Sequence, residues 1–256
     1  MNDTLLRVIS ASSAILYAVS FSLMLTKRRA LSGVIADVIR YIAVSLGFLL
    51  VINNFLVNGY VPFVSMYQVL TFLSVTFFFV YLYVRYVHGA KELRTIYTLL
   101  PAIIMVGVTF MDQNSKWSFP PALRSAYFVP HVLSYMISYS LTATAAVICV
   151  MYLVKKDPLI ERSAYITVIT GYPFMICGML LGALWANECW GEFWQWDAKE
   201  NWSLLTALSL TVYLHFRRHK KLSRYAPYFV ILSAVLLVIT LFFVNMFGGS
   251  SNHTYS

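Results

Sequence analysis

The side chains able to do chemistry are concentrated in one short stretch. "WANECWGEFWQWDAKENW", residues 185–202, holds five of the chain's six tryptophans and four of its ten acidic residues. Indoles offer wide contact area at little entropic cost, with an N–H donor, so they suit a platform for a large, flat, apolar ligand. The plainer reading is an interfacial aromatic belt, in which Trp anchors helix ends at the headgroup level. Belts spread over many helix ends, whereas these indoles share a single stretch. If the stretch is helical, Trp190, Trp194 and Asp197 fall on one face and Trp196 and Glu200 on an adjacent one. The three cysteines, Cys149, Cys177 and Cys189, form neither a CxxC pair nor a metal-ligand spacing.

The elements that must position this stretch are apolar. The chain of 256 residues is 60% hydrophobic and 11% charged, with a mean hydropathy of +0.72. Soluble domains carry about 25% charged residues. Eight apolar segments are drawn at about 5–25, 33–57, 61–86, 95–111, 131–154, 164–184, 202–217 and 226–246. Crossing about 30 Å of hydrocarbon takes roughly 20 helical residues. The expected fold is all-α: a polytopic membrane bundle of about eight transmembrane helices, forming one domain over residues 1–256.

Orientation follows from the basic residues. The loops after helices 1, 3, 5 and 7 carry 14 of the 19 Lys and Arg residues, which makes them cytoplasmic and puts both termini outside. The charges of the first segment follow its apolar run, as suits an uncleaved anchor. The net charge of +9 is spread over short loops and forms no stripe for nucleic acid. The bilayer is the expected environment, in the cytoplasmic or inner membrane, with the tryptophan loop on the periplasmic or extracellular side.

On this topology two of five histidines, His131 and His253, share the outer face with the indoles. Imidazole beside a planar apolar ligand is what haem iron needs for axial coordination. His131 follows Pro130 at the start of helix 5, where the positive helix end favours a neutral ring. His253 lies on the Gly/Ser-rich tail "FGGSSNHTYS". An ordinary interfacial role is the alternative for each. His215 stands near the inner end of helix 7; as a transmembrane ligand it needs a second histidine, which a partner could supply. Lys116, Arg124 and Lys199 are the outer cations available to haem propionates. Arg40, inside the second segment, should face the bundle or snorkel.

"WGEFWQWDAKE" resembles the W-G-x-x-W-x-W-D-x-x-E pattern of the haem-handling proteins of cytochrome c biogenesis, which include CcsA (ResC), CcmC and CcmF. "NWSLLTALSLTVYLHFR" and "FPPALRSAYFVPHVLSYMISYS" are similar to the CcsA branch, and the likeness spans roughly residues 50–256. It implies binding of haem b, with His131 and His253 as the external axial ligands beneath a motif formed by Trp190, Gly191, Trp194, Trp196, Asp197 and Glu200. It implies that His215 takes part in haem transit, with its counterpart ligand on a CcsB (ResB) partner. The implied function is presentation of haem to the CxxCH motif of apocytochrome c for covalent attachment, as part of a cytochrome c haem lyase. The tail "SNHTYS" departs from the pattern, since members often have Leu before that His. Three rivals remain open: a CcmC-like haem chaperone or exporter, a membrane redox protein with b-type haems, and an assembly subunit without haem.

Overall fold

The computed structural model describes residues 2–26, 30–89, 91–113 and 119–243. These hold eight α-helices and no strand: α1 Asp3–Leu25, α2 Ala30–Asn58, α3 Met66–Val87, α4 Ile96–Thr109, α5 Phe128–Lys155, α6 Pro158–Trp190, α7 Ala198–Phe216 and α8 Ala226–Val238. Each apolar run of the sequence corresponds to one helix. Six helical segments, including those of α1, α2, α3, α5, α6 and α8, are long and apolar enough to cross a membrane. α4, at 14 residues, is only about 21 Å long, and α7 opens with the polar turn Ala198–Asn201. The chain forms two compact units, residues 1–120 and 121–256, and each is described by itself.

In the first unit α1 packs along α2 through small residues. Ser13 Oγ donates to the Ala43 carbonyl at 2.9 Å and Ser20 Oγ to the Ala36 carbonyl at 2.7 Å. Both pairs step by seven residues in opposite directions, so the helices run antiparallel in close register. Small side chains at such an interface let backbones approach, and hydroxyl-to-carbonyl bonds replace solvation that lipid cannot provide. Arg40 faces this interior and not lipid: it is 1% exposed.

In the second unit α5 and α6 are joined by only Lys156 and Asp157. Lys156 adopts the left-handed conformation that ends α5, Asp157 caps α6 by accepting from Leu159 N, and Pro158 occupies the first turn. Three glycines of α6 then face α5. A Cβ on Gly171 would meet Leu141, one on Gly178 would meet Tyr135, and one on Gly182 would meet His131. The pairs descend in step, so a stripe of hydrogen atoms on α6 admits larger residues from α5. α7 is tied to α8 by Ser209 Oγ, which donates to the Phe229 carbonyl, and to α6 by Tyr172 and Thr211.

Candidate functional site

The 33 residues of α6 extend for about 50 Å, well beyond about 30 Å of hydrocarbon. Its last turns, Trp185 to Trp190, carry the first two indoles of the tryptophan-rich stretch. The tryptophan-rich stretch is not one helix, which corrects the shared faces expected above. α6 continues to Trp190, Gly191 ends it at φ +79°, an irregular segment follows, and α7 begins at Ala198. Gly191 suits the left-handed turn because it lacks a Cβ. Trp196, at φ +57°, occupies the same region without that exemption, a conformation that costs roughly 1–3 kcal/mol and must be held by its surroundings.

The two motif carboxylates hold the segment. Asp197 Oδ1 accepts from Glu200 N at 2.8 Å, and Glu200 Oε2 accepts from Asp197 N at 3.2 Å, a reciprocal capping box. Glu200 Oε2 also accepts from Gln195 N at 2.8 Å, while Asn201 Nδ2 donates to the Trp196 carbonyl at 2.7 Å. These bonds bracket Trp196. Asp197 and Glu200 are thus shape-keeping residues of the loop. Glu188 has a separate task, accepting from Ser125 Oγ.

His131 lies in the first turn of α5 and turns its ring into the gap left by Gly182. A Cβ on Gly182 would stand 2.6 Å from His131 Cε1 and 2.7 Å from Nδ1. His131 Nδ1 lies 2.8 Å from the Gly178 carbonyl. A carbonyl only accepts, so Nδ1 carries the proton and the ring lone pair resides on Nε2, the form that can ligate a metal. Trp185 lies over the ring at 5.6 Å between centroids and Tyr135 meets it edge-on at 4.9 Å. Trp185 is fixed in turn: its Nε1 donates to the Ala122 carbonyl at 2.7 Å, and Trp190 contacts it at 5.0 Å.

The structure therefore brings together His131, Trp185 and Trp190. Trp194 and Trp196 form a second pair, 6.1 Å apart and nearly perpendicular. Trp196 is 68% exposed, and the buried Trp194 Nε1 donor has no hydrogen-bond partner among the described residues. His215 stands apart in the last turn of α7, roughly 27 Å along the helix from Asp197. It is exposed, and its Nδ1 lies 2.8 Å from the Thr211 carbonyl one turn back. His253 and Lys116 lie outside the described residues. Arg124 is exposed at the end of a short 3-10 turn, Pro121–Arg124, whereas Lys199 is largely shielded in the first turn of α7. Removal from water lowers the Lys199 pKa to about 8, with the Asp197 carboxylate opposing the shift.

Sequence reasoning counted Trp185 in the tryptophan-rich stretch but not among the site residues, and missed Gly178 and Gly182. Gly178 and Gly182 form a G-x-x-x-G spacing in an apolar helix, a pattern that marks close helix approach. That signal was present in the sequence, and so was His131, but not the seating of one against the other.

Helices of this length and apolarity define a multi-pass helical membrane protein with an aromatic and histidine cluster at one end of a helix pair. The chain belongs to the cytochrome c assembly protein family, whose description matches residues 63–250, and is of the CcsA type. It is 30% identical over 234 residues to the cytochrome c biogenesis protein CcsA of Guillardia theta, with 77% of each chain covered. It is 25% identical over 238 residues to CcsA of Prochlorococcus marinus strain MIT 9312, covering 78% of this chain and 77% of the relative. CcsA of Porphyra purpurea is 24% identical over 266 residues, with 79% and 81% covered. Cytochrome c biogenesis is accordingly the process in which the chain acts.

Proposed function

We propose that the protein takes haem b as its cargo, holds it at the motif end of α5 and α6 on the extracytoplasmic side, and presents it to the CxxCH motif of apocytochrome c. The observation that carries this reading is the seating of His131. Its Nδ1 proton is committed to the Gly178 carbonyl at 2.8 Å, which leaves the ring lone pair on Nε2, and the ring lies against Trp185, which Trp190 contacts in turn. Trp185 and Trp190 suit the face of a porphyrin. The buried Trp194 N–H, which has no acceptor among the described residues, suits a propionate oxygen, and Lys199 is a cation whose charge a propionate would favour. His253 is the second axial ligand in this reading, and the one that yields to the CxxCH histidine.

The chain's own residues bind and orient; the vinyl groups and the substrate thiols react. Each thiol adds across a vinyl group, forming one S–C bond while its proton passes to the neighbouring vinyl carbon, so neither oxidant nor reductant is consumed. Holding both partners in register supplies the rate through proximity. A CcsB (ResB) partner completes the lyase and provides the ligand opposite His215. Eight membrane crossings with both termini outside, and a single working bundle over residues 1–256, complete the proposal.

The test is to purify the protein with its partner, record visible spectra, and measure covalent cytochrome c for His131→Ala and His253→Ala. The expected result is loss of haem from the purified complex and loss of covalent product in each variant. Unchanged haem and product in both would overturn the ligand pair.

A further inference from the structure

Arg40 is a cation buried in a helix long and apolar enough to cross a membrane. Such a residue needs a partner, because an isolated charge in that medium is costly. Its partner is shared. Arg40 Nη2 donates to Asp37 Oδ1 at 3.1 Å, and Arg94 Nη1 donates to Asp37 Oδ2 at 2.8 Å. One carboxylate thus serves two guanidiniums, and the buried Arg40 Nε has no hydrogen-bond partner among the described residues. The Tyr81 and Tyr41 rings face Arg40, at 4.6 and 5.1 Å from Cζ to centroid. Arg85 approaches the same Tyr81 ring at 5.9 Å, and its Nη1 donates to the Tyr81 hydroxyl at 3.4 Å. A ring face attracts a cation through its quadrupole without neutralising it. Among the described side chains here, Arg40 and Arg94 share the one carboxylate of Asp37, while Arg85 reaches only the Tyr81 ring and hydroxyl.

We propose that this cluster binds the phosphate of an anionic phospholipid, which supplies the negative charge that Asp37 alone does not. Depth favours this occupant. At 29 residues, α2 is about 43 Å long; centred on about 30 Å of hydrocarbon, it projects about 7 Å at each end. Asp37 then lies about 4 Å below the headgroup boundary, given about 1.5 Å of rise per residue. That is within reach of a lipid phosphate drawn slightly inward. Two members of the cluster are within reach of a headgroup: Arg94 is 32% and Asp37 24% exposed. Val34, Val38 and Ile42 are exposed beside them on α2 and offer an apolar surface to acyl chains. Guanidinium matches phosphate through paired donors. A zwitterionic choline lipid would bring its own cation to an already cationic site, so phosphatidylglycerol should be preferred over phosphatidylcholine. The haem reading above plays no part in this inference.

The experiment is native mass spectrometry of the full chain released from vesicles of equal phosphatidylcholine and phosphatidylglycerol. The parent should retain phosphatidylglycerol preferentially. Arg94→Gln and Arg40→Gln should each reduce that preference about tenfold, or about 1.4 kcal/mol. Arg162→Gln, which removes an exposed basic residue from the other unit, should leave it intact and so separate the site from general attraction to basic loops. Should Arg40→Gln fail to fold, the partly exposed Arg94 carries the test. Equal retention of the two lipids by the parent would overturn the proposal, as would an equal loss in Arg162→Gln. Displacement of phosphatidylglycerol by millimolar inorganic phosphate would also overturn it, since the site would then serve a free anion.

Discussion

His131 and His215 occupy opposite ends of the second unit, and their local chemistry is nearly the same. Each ring places Nδ1 2.8 Å from a backbone carbonyl, which leaves the lone pair on Nε2. The difference lies in whose carbonyl it is. His215 uses Thr211, four residues back on its own helix, and would keep that tautomer in any packing of α7. His131 uses Gly178 on α6, and its ring sits against Gly182, so its orientation exists only while α5 and α6 are in register. One histidine is oriented by a helix turn and the other by a helix pair. A site built across a helix pair can be sensitive to a single methyl group; one built within a turn cannot.

The largest test of that contrast is Gly182→Leu. The ring cannot move aside without breaking its bond to Gly178, and overpacking of this kind costs about 1–3 kcal/mol. Haem retained at the motif end, read from the visible spectrum, should fall at least tenfold, while a signal assigned to His215 with the partner present should persist. Equal loss of both signals would show that the two ends are not independent.

Next in size is the loop. Asp197→Ala removes the cap of α7 and should lower stability by about 0.5–2 kcal/mol, read as a drop in Tm in lipid nanodiscs. Asp197→Asn keeps an accepting oxygen and should remain close to the parent in Tm and haem content. Loss of haem in the Asn variant with Tm unchanged would make Asp197 a ligand contact and not a keeper of loop shape.

A smaller effect belongs to Lys199. Its pKa in the folded protein is lowered to about 8 from an ordinary value of about 10.4. Between those values the unfolded chain binds more protons, so stability should rise with pH across that window and level off on either side. Lys199→Met should flatten the rise in a pH series of Tm. Bound propionate would hold the amine charged and shift the rise upward.

The smallest change is expected for His215→Ala in the chain alone. The ring is exposed, and surface substitutions of this kind stay within about 0.5 kcal/mol. Its effect should emerge only with the partner, as lost haem absorbance in the co-purified complex.

Much of this architecture was legible from residue types. Each of the eight apolar runs became a helix, most within a few residues of its expected bounds, because burial in an apolar medium is read directly from composition and length. The boundary of α7 moved from about 202 to Ala198, since the capping box extends the helix into a polar turn. The D-x-x-E spacing of Asp197 and Glu200 is itself a helix-start signal, obscured when residues 185–202 are treated as one continuous helix. Gly191 marked the break. The role of Arg40 was not legible, because Asp37 shares its helix but Arg94 comes from 54 positions further along the chain.

The sequence by itself determined a multi-pass helical protein, its membership of the cytochrome c assembly family through the tryptophan motif, and which histidines were worth examining. These depend on composition, period and short spacings, all of which are local. Only the tertiary structure decided that Gly178 and Gly182 seat His131 and that Trp185 covers it. Those facts depend on the register between helices. Register is set by which side chains interlock across the gap, and no single segment contains that information.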